Sequence, residues 1–461
     1  MTDPEPTPPP MDGEAIRRIV KETNYVTWRR QGGWNPLVVT RAEGSTFWDD
    51  RGNAYLDLSS QLMATNLGHS NPAVVAAIAA QAAKLAYAAP GFATEARARL
   101  SSALLEVLPA GLSRFFFSTS GTEANEAALK IARVATGRSK VLSRYRSYHG
   151  ATAASISVTG DPRRRPIERL QKVPGTVFAP DCYCYRCPFG LTYPECGVAC
   201  AEYVDYQIER EGDVAAMILE PVVGTNGVIV PVPEYLPMIR KITQKHDVVL
   251  IADEVMTGWG RVGEWFGVNH WGVVPDILTT AKGITGALIP LGLTATTARL
   301  HDVFAETYFP HGHTYEAHPL TLAPAVAAIG EYRRLDLITK SRRDGEYLLA
   351  RLREIQTRHP SVGEVRGLGL FAAVELVRDR TTRSPFNTEE DKLAGRPLVA
   401  EKVAAAMMKE GVFCVAWISH LVVAPPLIIT REELDRGLDV LDRALLVADA
   451  ELPASPRSGP G

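Results

Sequence analysis

Lys282 stands in the run Thr279-Thr280-Ala281-Lys282-Gly283-Ile284, 29 residues after Asp253. Asp253 closes Val248-Val249-Leu250-Ile251-Ala252, an apolar run that reads as a buried parallel strand. A carboxylate at a strand end can hold a heterocyclic ring nitrogen protonated. A lysine on the next strand or turn can form an imine with an aldehyde. A Schiff-base lysine and an acidic partner for a pyridinium nitrogen are what a protein supplies to pyridoxal phosphate. The pair alone decides little, because the chain has a dozen lysines and strand-end aspartates are common in α/β proteins.

Five further motifs stand in order around it. Phe115-Phe116-Phe117-Ser118-Thr119-Ser120-Gly121-Thr122-Glu123 reads as a strand, a small polar loop and a helix start. Backbone N–H groups near Ser120 and Gly121, helped by the Thr122 hydroxyl, would bind a phosphate there. Alone, this is an ordinary serine or threonine cap. Tyr148, with His149 beside it, precedes Gly150 and can lie flat on a planar ring. Glu220 ends an apolar run from Ala215 and precedes Pro221, where it can position its neighbours or meet the substrate. Val255, two residues after Asp253, is placed to pack on the ring face opposite Tyr148. The loop around Thr314 precedes a helix and offers a second phosphate contact.

The elements that would hold these groups alternate. Hairpin strands over 44–58 follow a helix from Gly13 to about Arg30, and helices run from Pro72 to Leu85 and from Glu95 to Val107. From Arg114 to Thr297 short apolar strands alternate with helices. The chain is therefore expected to be α/β, with a large domain built on a mostly parallel sheet flanked by helices. Residues 319–450 read as α+β and are expected to pack with residues 13–70 as a smaller domain, leaving 71–318 as the large one. Residues 1–12 and 451–461 read as disordered tails.

With these motifs in order on one sheet, the sequence resembles the class III (ω-type) pyridoxal-phosphate-dependent aminotransferases of fold type I. The resemblance rests on Ser-Gly-Thr-Glu-Ala-Asn at 120–125, Tyr-His-Gly at 148–150, Asp-Glu-Val-Met-Thr-Gly at 253–258, Ala-Lys-Gly at 281–283 and Ala-Pro-Pro-Leu at 424–427. It runs from about Trp28 to Leu441. It implies Lys282 as the Schiff-base and proton-shuttle residue, Asp253 on the ring nitrogen, Gly121 and Thr122 on the phosphate, and Tyr148 and Val255 on the two ring faces. Thr314 matches a position that completes the phosphate site of a neighbouring subunit. A homodimer or dimer of dimers with shared active sites is therefore implied.

The segment Leu56 to His69 looks most like the taurine–2-oxoglutarate and taurine–pyruvate aminotransferases. Such enzymes move an amino group from a terminal amine to a 2-oxo acid. In many relatives an arginine before Ala-Pro-Pro-Leu binds the acceptor carboxylate bidentately. Here Val415 or Ala416 stands there, and neither can do so. Met63 and Trp417 are candidate substrate-pocket residues, and equally candidate core residues. Aminomutases, decarboxylases and lyases share the same cofactor contacts and are the alternative activities.

Five of six cysteines fall within 19 residues. Cys184, Cys187, Cys196 and Cys200 have spacing compatible with a structural zinc site or, second, an iron–sulfur cluster. Reduced packed thiols or a labile disulfide are the alternatives. A net charge of −2 gives no electrostatic case for nucleic acid or an anionic membrane. No apolar stretch approaches the ~20 residues that span a bilayer. With no secretory pattern at Met1–Pro10, a cytoplasmic protein is expected.

Overall fold

The computed structural model describes residues 11–453, apart from the side chain of Gln171. The two expected tails lie outside the described residues except for 11–12 and 451–453. Seven strands form the central sheet among the described residues. Their spatial order is Leu112–Ser118, Gly292–Thr297, Ile277–Thr280, Val249–Asp253, Val214–Leu219, Lys140–Arg144 and Thr176–Ala179. Only Gly292–Thr297 runs against both neighbours. Val214–Leu219 and Val249–Asp253 are buried along their whole length. That accounts for their unbroken apolar sequence, since helices cover both faces of such a sheet. Register pairs Leu219 with Ala252 and Asp253 with Thr279. The carboxyl ends of six strands therefore open on one edge, and the loops leaving five of them carry the candidate residues.

The helix Gly121–Thr136 illustrates how local sequence sets these loops. The Ser120 side chain accepts the Glu123 N–H at 3.2 Å, and Glu123 reaches back to the Thr119 N–H at 2.7 Å. Gly137, at φ 66°, ends the helix in left-handed backbone. Ala124, Ala127, Ala128 and Ala132 face inward and are fully buried, which lets the helix lie close to the sheet.

Strands from both chain ends meet in the other sheets. Val39–Glu43, Thr46–Asp49 and Ala54–Asp57 are antiparallel, and Val412–Phe413 joins Ala54–Asp57 in parallel. The expected hairpin is the middle pair. Its turn is held by Asp49, which accepts from the Arg51 and Asn53 N–H groups, with Gly52 at φ 82°. A third sheet orders Val362–Gly367, Ala372–Asp379, His420–Val423 and Val415–Trp417. The first helix stops at Thr23 rather than Arg30. It buries no residue, so no tertiary contact extends it past Asn24, whose backbone is extended.

One buried cation ties the chain ends to the centre. The Arg261 side chain is inaccessible to solvent and hydrogen-bonds to no carboxylate among the described residues. It donates to the Leu370 and Pro425 carbonyls at 2.9 and 2.6 Å, to Ser60 Oγ at 3.0 Å and to Asn66 Oδ1 at 2.8 Å. Burial pulls its guanidinium down to about 10, still charged at neutral pH. Arg261→Met keeps the volume but strands four buried acceptors. A loss of about 3 kcal/mol or more is expected, read as a lowered unfolding midpoint in denaturant.

Candidate active site

Lys282 follows the strand Ile277–Thr280 in a short turn, at φ 47°. A non-glycine residue in left-handed backbone is strained and needs its surroundings to hold it. The surroundings are rigid. The next residue, Gly283, would place a Cβ 2.7 Å from both Asn66 Nδ2 and Trp259 Cβ. The Gly283 carbonyl accepts from Tyr332 Oη at 2.7 Å, and Trp259 Nε1 donates to Thr280 Oγ1 at 2.9 Å. Burial depresses the Lys282 ammonium to about 8, against the pull of the Asp253 and Glu220 carboxylates. About a tenth is thus free amine at pH 7, far more than for an unshifted lysine.

Asp253 is 3% exposed and held from three sides. Asn125 Nδ2 donates to Oδ2 at 2.8 Å, His149 Nδ1 meets the same oxygen at 2.8 Å, and the Val255 N–H donates to Oδ1 at 3.1 Å. Thr279 Oγ1 in turn donates to Asn125 Oδ1 at 2.6 Å. Asn125 was visible in the sequence only as part of a motif. Its role as the clamp on Asp253 depends on a contact across 128 residues. The buried Nε2 of His149 has no partner among the described residues.

The remaining residues divide. Glu220 is buried, with Oε1 accepting the Tyr148 N–H at 3.1 Å and Oε2 the Gly224 N–H at 2.7 Å. Burial raises its pKa. Arg144 donates from below to the Glu220 carbonyl. Gly121 lies against Val255, since a Cβ there would come 2.7 Å from Val255 Cγ2. Gly150, at φ 142°, lies equally close to Thr122 Oγ1. Ser120, Gly121, Thr122, Tyr148, His149, Glu220, Val255 and Lys282 therefore all belong to the loops of one sheet edge.

Thr314 does not join them through any hydrogen bond among the described residues. It is exposed, and its carbonyl accepts from Tyr87 Oη at 3.2 Å. Met63 is 3% exposed and packs in an apolar cluster with Val222, Val228 and Met256. Trp417 lines a 250 Å³ cavity with Asn226 and Asp161.

The cysteines differ in exposure, with Cys182 and Cys414 buried and Cys184 exposed. All six are free, and Cys182, Cys184, Cys187, Cys196 and Cys200 line one small pocket with Phe189, Leu191 and Val198. Among the described residues no group of three or more His, Cys, Asp or Glu side chains is arranged to hold a metal ion. The four thiols expected at such a centre do share that pocket, and Cys187 and Cys196 lie close enough to Cys184 to act on it electrostatically, but they lack the grouping that a metal ion requires. Burial raises Cys182 to about 11 and Cys200 to about 12, which keeps them protonated.

Comparison with known proteins gives a consistent picture. The class-III aminotransferase family model matches residues 28–445. A leucine/methionine racemase of Thermococcus litoralis is 34% identical over 95% of both chains. A taurine–pyruvate aminotransferase of Bilophila wadsworthia is 33% identical over 90% of this chain and 93% of its own. The crystal structure of a taurine:2-oxoglutarate aminotransferase from Bifidobacterium kashiwanohense, in complex with pyridoxal phosphate and glutamate, superposes with a TM-score of 0.90. It is 34% identical and covers 96% of this chain and all of that one.

Proposed function

We propose, for a chain that belongs to the class-III aminotransferases, that amino transfer is centred on Lys282 and Asp253. The protein is an aminotransferase that uses pyridoxal phosphate. The residues present fit that group. Lys282 offers a partly deprotonated amine, Asp253 a carboxylate at a strand end, and His149 an unpartnered buried nitrogen. Gly121 and Gly150 leave no room for side chains where Val255 and Thr122 close in. When bound, the cofactor supplies an aldehyde to take the amino group and a protonated ring to draw electrons from the substrate carbon.

The chain's own residues have separable tasks. Lys282 Nζ is the point of covalent attachment and then the base that moves the substrate proton. Asp253 holds the ring nitrogen, while Asn125, Thr279 and His149 hold Asp253. Gly121 and Thr122 present helix-start N–H groups to the phosphate, with Ser120 setting the cap. Arg163 covers one face of Tyr148, and a bound cofactor ring would be held between Tyr148 and Val255. Glu220 fixes the turn that carries Tyr148. Thr314, exposed on its own chain, serves the phosphate site of a second copy. The active form is then a homodimer or dimer of dimers.

The donor is a terminal amine, the acceptor a 2-oxo acid, and the two alternate at one site. The small domain combines residues 13–70 and 319–450 around the large one, 71–318, and the enzyme works in the cytoplasm. The observation that carries this reading is the strained Lys282 turn, braced by Trp259 and Tyr332, beside a clamped and buried Asp253. The test is a panel of terminal amines against 2-oxo acids, following both reactants. One 2-oxo acid consumed per amine supports it. Product formed without consumption of 2-oxo acid would assign an aminomutase, decarboxylase, lyase or racemase reaction instead.

A further inference from the structure

The thiol pocket has no part in the site centred on Lys282, yet two paths lead from it to that site's surroundings. Along the first, Cys182 Sγ accepts from Arg144 Nη1 at 3.3 Å. Arg144 Nη2 donates to the Glu220 carbonyl, and Glu220 Oε1 accepts the Tyr148 N–H at 3.1 Å. The second starts two residues on. Cys184 opens a short helical turn, Cys184–Arg186, in which the Arg186 N–H donates to the Tyr183 carbonyl at 3.1 Å. That turn is strapped to the third sheet and the loop after it. Arg186 Nη1 donates to Glu375 Oε1 at 2.6 Å, and Nε and Nη2 donate to the Arg383 carbonyl at 3.1 and 3.0 Å. Arg383 Nη1 donates back to the Tyr185 carbonyl at 2.5 Å, and Tyr185 Oη leaves no room for a Cβ on Gly363. Glu375 Oε1 also accepts from Ser419 Oγ at 3.2 Å. Arg186 and Ser419 line the 250 Å³ cavity beside Trp417. Asp161 lines it too, and accepts from the Arg163 that covers Tyr148.

Cys184 is the exposed thiol of the five that share the pocket. Of its neighbours, Cys196 bears on it most. Burial raises the Cys184 thiol, and Cys196 adds more to that rise than Cys187 does. Cys184 and Cys196 also both lie near enough to Cys200 and to the Tyr193 hydroxyl to act on them electrostatically. Turns at Cys187–Gly190 and Thr192–Cys196 fold the segment between the two back on itself. Both thiols are free in this structure. Bonding them draws the sulfurs well inside van der Waals contact, which pulls on Cys184 and on the turn that follows it.

We infer that Cys184 and Cys196 form a reversible disulfide that shifts the Tyr183–Arg186 turn and slows amino transfer beside the neighbouring cavity. The effect on rate rests on Lys282 being the reacting amine; the disulfide does not. The oxidant is a small-molecule disulfide. The Cys184 thiolate attacks one of its sulfurs, a mixed disulfide forms, the small S–S bond breaks and one small thiolate leaves. The Cys196 thiolate then attacks the Cys184 sulfur, and the second small thiolate leaves. Two protein thiols are oxidised, and the small disulfide is reduced to two thiols that take up the two protons. A dithiol reductant reverses both steps. A thiol raised by burial holds little thiolate near neutral pH, so exchange is slow. The site therefore follows the standing thiol–disulfide balance rather than a brief oxidant pulse.

The test uses the full-length holoenzyme, incubated in mixtures of reduced and oxidised glutathione and then alkylated. Peptide mapping under non-reducing conditions should link Cys184 to Cys196. Conversion to the pyridoxamine form, followed by absorbance with the most reactive terminal amine, should slow about 10-fold on oxidation, within the usual coupling between two sites. Dithiothreitol should restore it. Cys184→Ser and Cys196→Ser should each lose both the link and the response to oxidised glutathione, whereas Cys187→Ser should keep both. A link from Cys184 to Cys187, no link, or only mixed disulfides with glutathione overturns the pairing. A mapped link with an unchanged rate overturns the regulation. A Cys196→Ser variant slowed by oxidised glutathione as much as wild type overturns both. Where a serine variant fails to fold, the wild-type map and its reversal by dithiothreitol decide. A reduced wild type inert toward every amine would sink the amino-transfer reading of the site, and the map alone would then decide the disulfide.

Discussion

Lys282→Ala lowers steady-state amino transfer at least about 10⁴-fold, combining lost covalent attachment with lost proton transfer. The protein still folds, because the backbone contacts that hold this turn do not involve the lysine side chain. Gly283 still accepts from Tyr332, and Trp259 still donates to Thr280. The variant therefore retains cofactor weakly and lacks the absorption of the lysine-linked form. Added methylamine or ethylamine restores part of the rate by acting as a soluble base, and the melting profile stays near wild type. Normal turnover in the variant would remove Lys282 from the chemistry altogether.

Asp253→Asn is expected to cost about 10³-fold in rate, ~4 kcal/mol of transition-state stabilisation. The substitution is isosteric, so its effect is electronic. Asp253 Oδ2 sits 2.8 Å from both Asn125 Nδ2 and His149 Nδ1, in a site closed to water. An amide there is neutral and no longer favours a protonated ring nitrogen. Absorbance titration of cofactor uptake separates the two possible losses. Tight uptake with slow turnover is the expected result, and near-normal turnover would show that the ring nitrogen does not depend on this carboxylate.

These expectations were largely visible in the linear chain where the causes are local. Ser120 as a cap, Gly121 and Thr122 at a helix start, Asp253 as a strand end and Lys282 in the next turn follow from short-range patterns. What was hidden depends on distant partners. Arg163 lies in the run Arg163-Arg164-Arg165, which reads as a solvated charge cluster. Only folding puts its guanidinium between Tyr148 and Trp417. Met63 was a candidate for both pocket and core, and only folding shows its apolar neighbours, Val222 and Met256. The cysteine spacing left a metal centre and packed thiols both open, and only folding brings those thiols to one pocket with Phe189, Leu191 and Val198. The reversed strand Gly292–Thr297 was equally invisible, because a short apolar run carries no direction.

The four oxygens around Arg261 have a consequence for synthesis. Asn66 and Ser60 leave the ribosome well before Arg261, and Leu370 and Pro425 well after it. Ser59 and Ser60 likewise await the Val422 and Ala424 carbonyls, more than 360 residues later. A nascent chain that has reached the Lys282 turn still carries a cation with only half its acceptors. The Arg261 site is complete only when translation is nearly finished. Until then, Arg261 lacks the partners that offset the cost of burying its charge.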